Sequence, residues 1–65
     1  MNEEIGIAAG RIWEALNSKG ELTPAQLQKA AEVEEPLLSW AVGWLAREDK
    51  LDITRGKGGV RLRLK

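Results

Sequence analysis

Apolar positions in the first sixteen residues recur with the period of a helix. Ile5, Ala9, Ile12 and Leu16 are spaced i, i+4, i+7 and i+11, which stacks them on one side of a helix with Trp13 beside them. The pattern predicts a helix from about Glu3 to Ser18. Asn2 is a suitable N-cap, Glu3 and Glu4 suit the positive end of the helix dipole, and Lys19-Gly20 is a C-terminal stop. Gly6 and Gly10 interrupt this pattern at a cost of about 1 kcal/mol each relative to alanine, and they leave room for close approach of another backbone.

Glu21-Leu22-Thr23-Pro24 is the next punctuation. Thr23 reads as an N-cap, Pro24 as the first helical residue, and Gln26 as the third member of a capping box. A short helix is therefore predicted from Pro24 to about Ala31, with Leu27 and Ala30/Ala31 facing inward. Glu32-Val33-Glu34 is a tight connection. A third helix follows from Glu35 or Pro36 to Glu48. Its apolar residues, Leu37, Leu38, Ala41, Val42, Trp44 and Leu45, cover so wide an arc that this helix is expected to be the most buried. Trp13 and Trp44 are expected on core faces, and Trp40 at the margin of the arc.

The period then drops from 3.6 to 2. Leu51, Ile53 and Arg55 alternate with Asp52 and Thr54, and Val60, Leu62 and Leu64 alternate with Arg61, Arg63 and Lys65. Between them, Gly56-Lys57-Gly58-Gly59 supplies the positive φ values of a hairpin turn. The expected product is a hairpin with one apolar and one basic face. No linker, repeat or low-complexity stretch divides residues 1–65, so the chain reads as one domain.

Composition narrows the function classes. Sixty-five residues give a thin core, which small domains usually reinforce with disulfides, a metal or a second subunit. Cysteine and histidine are both absent, so disulfides and imidazole- or thiolate-ligated metals are excluded. With no His, Cys or Tyr, and too little chain to enclose a typical ligand pocket, no enzyme activity, cofactor or small-molecule substrate is expected. The glutamates are explained by caps and solvation better than by a cation. No apolar run is long enough to span a membrane, no leader pattern opens the chain, and the absence of cysteine fits the cytoplasm. Net charge is zero, but it is unevenly spread. Residues 1–45 carry three basic side chains against seven glutamates, a net of −4. Residues 46–65 carry seven against three, a net of +4.

The order of elements is helix, a short extended Leu22, helix, helix, hairpin. It is the order of a winged helix-turn-helix: α+β, mainly α, with three helices before a two-stranded wing and Leu22 as a candidate third strand. Leu22-Thr23-Pro24-Ala25-Gln26-Leu27 resembles the entry into the second helix of bacterial winged-helix regulators. The stretch from Gly43 to Leu51 resembles their passage from recognition helix to wing. Ile5-Gly6, Ala9-Gly10, Ile12-Trp13 and Leu16 resemble the opening of a family of very short, stand-alone bacterial winged-helix proteins. The resemblance implies the fold, and by analogy a DNA-binding role in transcription regulation.

Two surfaces are candidates for that role. Arg55, Lys57, Arg61 and Arg63 of the wing are placed to meet phosphates, with Gly58-Gly59 admitting the tip to a groove; an ordinary solvated hairpin face would look the same. The outward arc of the third helix holds Glu35, Ser39, Gly43, Ala46 and Arg47, a poor set of base readers, and the turn before it carries Glu32, Glu34 and Glu35. Such a face serves equally for packing against a protein. Ile7, Gly10 and Trp40 are candidate contacts in a homodimer. The sequence thus leaves two readings open: a DNA-associated regulator acting through the wing, or a homodimeric protein-interaction module.

Overall fold

Thr23 organises the sharpest boundary in the chain. Its backbone is extended, its hydroxyl accepts from the Gln26 amide at 3.2 Å, and the Gln26 side-chain oxygen accepts from the Thr23 amide at 3.0 Å. The reciprocal pair satisfies two donors that a helix start otherwise leaves to water. The computed structural model, which describes residues 2–65, builds the molecule around this boundary. Helix α1 (Asn2–Lys19) precedes it and α2 (Pro24–Ala31) follows it. Then come α3 (Leu37–Arg47), β1 (Leu51–Gly56) and β2 (Gly59–Leu64). This is the three-helix, hairpin-terminated fold that the periodicities predict. Helix α1 takes in Asn2 itself, one residue sooner than its reading as a cap. Helix α3 is shorter than expected at both ends.

Each helix ends on a left-handed residue. Gly20 (φ 87°) closes α1 and donates to the Leu16 carbonyl at 2.8 Å. Glu32 (φ 55°) closes α2, and the next amide, Val33, reaches back to Gln28. Asp49 (φ 60°) follows α3, with Asp49 donating to Ala46 and Lys50 to Leu45, the two-bond pattern of a Schellman motif. Only Gly20 has the residue type that makes this conformation free of strain. In the hairpin, Lys57 and Gly58 form the turn, and the positive φ falls on Gly59 (105°) alone.

The core lies where α1 crosses α3 and α2, with the hairpin closing one side. Ile12, Leu16, Leu27 and Leu45 are its largest fully buried side chains. Ala8, Ala9, Ala15 and Ala41 let the helices approach closely, and Leu38 is buried beside them. Leu51 and Leu62 bring the hairpin in. Leu22 pairs with Leu62 through two backbone hydrogen bonds of 2.9 and 2.8 Å, which supplies the short third strand.

Two expectations are corrected and one is kept. Trp13 and Trp44 are not core residues: they are 41% and 44% exposed, because each lies on the flank of its helix. Helix α3 is the most buried for its length, as expected: six of its eleven residues are buried or half-buried, against six of eighteen on α1. Val33, read as part of a connection, is buried, because the left-handed turn at Glu32 aims it inward.

These burials separate two kinds of apolar residue. Leu27→Ala should destabilise the fold by about 2–5 kcal/mol, while Trp13→Ala and Trp44→Ala should each cost less than about 2 kcal/mol. Urea denaturation of the three variants checks this; a tryptophan variant as damaging as Leu27→Ala contradicts the placement.

Candidate nucleic-acid interface

The register of the hairpin decides where its charges go. Leu51 pairs with Leu64, Ile53 with Leu62 and Arg55 with Val60, so these residues share the face that turns toward the core. Asp52 pairs with Arg63 and Thr54 with Arg61, on the opposite face. The expected division into an apolar and a basic face appears in this register, with Arg55 as the one charged member of the apolar face. Arg61 and Arg63 stand on the other, and Lys57 is in the turn. Ile53 remains exposed because the hairpin's outer half projects past the helices.

The four basic residues also differ in what they already hold. Arg61 lies 3.7 Å from the Glu21 carboxylate, and Arg63 lies 3.5 Å from Asp52. Lys65 pairs with Asp49, whose hydrogen bond and charge raise the Lys65 pKa above its ordinary value. Among the described residues no ion pair joins Arg55 or Lys57. The free positive charge of the wing is thus concentrated at its tip, flanked by Gly56, Gly58 and Gly59, with no bulky side chain beside it.

On α3 the outward residues are Ser39, Trp40, Gly43, Trp44 and Arg47, all exposed, whereas Ala46, expected on this arc, is half-buried against the core. Glu35 occupies the start of this face. Its two carboxylate oxygens accept from the Ser39 amide and the Ser39 hydroxyl, each at 2.9 Å. The pair caps the helix and commits the hydroxyl proton of Ser39, leaving that residue only acceptor capacity toward a base edge. Gly43 offers no side chain. Arg47 alone retains the donors that major-groove readout needs, and it has no ion-pair partner among the described residues. Trp40 and Trp44, four residues apart and therefore adjacent on the helix, are 47% and 44% exposed beside it.

The candidate dimer residues fall on two helices. Ile7 (66% exposed) and Gly10 lie on the outer face of α1, and Trp40 lies on α3. Ile7 edges a shallow groove with Leu37 and Val33 that is open to solvent. Beside it, Arg11 donates to the Glu32 carbonyl at 3.5 Å. Nothing within the domain lies within 4 Å of a Cβ placed at Gly6 or Gly10, so no internal packing requires either glycine. No helix is long and apolar enough to cross a membrane among the described residues, and no cluster of metal-ligating side chains forms.

Three helices and a wing with this geometry agree with the comparisons to known proteins. Residues 1–64 match the family model described as "Winged helix-turn-helix domain (DUF2582)". The chain belongs to this winged helix-turn-helix family. It is similar to protein BT2368 from Bacteroides thetaiotaomicron, whose solution NMR structure superposes with a TM-score of 0.86 at 32% sequence identity. That alignment covers 98% of this chain and 79% of the other. No curated protein matches the chain.

Because the wing's ion pairs are exposed, they should matter little to the fold. Glu21→Gln and Asp52→Asn are each expected to shift stability by less than about 1 kcal/mol in urea denaturation. A larger loss would mean that Arg61 and Arg63 are structural side chains rather than displaceable surface charges.

Proposed function

We propose that this domain is a cytoplasmic, non-catalytic DNA-associated regulator or accessory protein that holds duplex DNA by its phosphates, through the wing tip. The observation that carries this reading is the pair Arg55 and Lys57, unneutralised at a glycine-lined tip while the bases further down the strands face carboxylates. Phosphate contacts of this kind position a protein on DNA without reading sequence. Arg61 and Arg63 are held by exposed pairs of small energy, so they are available to exchange a carboxylate for a phosphate.

A second reading concerns α3. The side chains that would read bases are reduced to Arg47, whereas Trp40 and Trp44 present a broad apolar edge, the residue type most enriched at protein contacts. On this reading α3 faces a protein, and the helix-turn-helix serves as an interaction module beside the wing.

Titration of the protein with non-specific duplex DNA at low salt, followed by backbone amide shifts, tests the wing. Shifts should concentrate on residues 55–59. Arg55→Gln and Lys57→Gln should each reduce the slope of log K against log salt by about 1, uniformly across DNA sequences. Unshifted tip amides in excess DNA would falsify the proposal.

A further inference from the structure

We infer that the exposed face of α3 is occupied by α3 of a second copy of this chain, packed antiparallel across a two-fold axis at Gly43. The inference rests on the protein-facing reading of α3 and names its partner.

Gly43 is the first observation. Glycine is the poorest helix former after proline, and it occupies the middle of an eleven-residue helix. Inside the domain nothing explains it: its φ is not positive, and a Cβ there would meet no atom within 4 Å. A glycine on an exposed helix face is explained when a second backbone comes close at that point. Trp40 and Trp44 border the same spot, on the side of the helix nearer Leu37. An apolar edge with a glycine notch at its centre is the shape that two helices need to cross closely.

The charges choose the partner. In an antiparallel pair centred on Gly43, Ser39 of one copy stands at the level of Arg47 of the other, one turn to either side of the axis. The Glu35 carboxylate sits on Ser39, hydrogen-bonded to its amide and hydroxyl. Arg47 has no ion-pair partner within its own chain among the described residues. The symmetric pair therefore makes two Glu35–Arg47 contacts at once, because in an isologous interface each contact occurs twice. On the outer face of α1, an antiparallel pair centred between Gly6 and Gly10 sets Glu3 near the level of Glu14 as well as Glu4 near that of Arg11, whose guanidinium already holds the Glu32 carbonyl.

Sedimentation of the intact protein from low micromolar to millimolar concentration tests the inference, with tryptophan emission read on the same samples. A dimer whose dissociation moves the emission to longer wavelength is expected. Gly43→Glu, which meets nothing within the monomer, should weaken self-association at least about tenfold by placing two like charges on the axis, with far-UV dichroism unchanged. Should that variant fail to fold, Arg47→Glu, an exposed and unpaired position, should weaken self-association in the same direction. A protein that stays monomeric throughout overturns the dimer, as does a dimer insensitive to both substitutions. Duplex DNA that shifts the amides of Trp40, Gly43 and Arg47 in the monomer overturns the protein-facing reading itself. A monomer whose α3 amides ignore DNA overturns only the choice of a second copy.

Discussion

Two backbone hydrogen bonds between Leu22 and Leu62 join the wing to the helices, and most of what the molecule presents follows from them. A two-stranded hairpin alone is marginal in water. Here Leu62 is buried in the helical core and its backbone is paired on both sides, with Ile53 on one and Leu22 on the other. That fixes the register. Side chains alternate across a strand, so a slip by one residue would turn Arg61 and Arg63 inward and Leu62 outward. The placement of every charged wing residue is thus a consequence of one buried leucine and its two neighbours. Leu22 holds its place because the capping box at Thr23 starts α2 one residue later, leaving the chain extended at that point.

Much of this was legible in the residues because the signals were local. The capping box, the glycine after α1 and the change of period at Leu51 each involve a few consecutive residues, and each appears in the structure as read. What the residues did not disclose depends on three-dimensional relations. Trp13 and Trp44 have the hydrophobicity of core residues, but periodicity locates a face only to within about one residue's turn on a helix of 3.6 residues per turn. Both fall on the flank. Val33 is buried because Glu32 adopts a left-handed conformation that its residue type does not announce. The four basic wing residues were read as one set because they share a sign. The pairing register divides them, and carboxylates from a separate loop and from the facing strand occupy two of them. The Glu35–Ser39 clasp escapes a residue-by-residue reading for a related reason: each residue alone reads as outward-facing, and only together do they satisfy each other. Their spacing of four on the approach to a helix was the available signal.

The zero net charge of the chain is not an obstacle to binding a polyanion, because affinity for DNA follows the phosphates actually neutralised rather than the total. The basic side chains differ in availability. Arg61, Arg63 and Lys65 are spoken for by carboxylates, and Arg11 leans on a backbone carbonyl. Among the described residues, Arg55 and Lys57 are left without an ion pair at the tip of the hairpin. A single tip of two charges gives weak, salt-sensitive association. The proposed pairing of two copies through α3 would change the arithmetic where both tips reach one duplex, because the second contact is then made at a raised effective concentration. The proposed pairing would also account for the lack of base-reading side chains on α3, since a helix buried against its own copy has no groove to read. On this view the wing and the recognition helix have exchanged their usual shares of the work, with the wing meeting DNA and the helix setting how many wings arrive together.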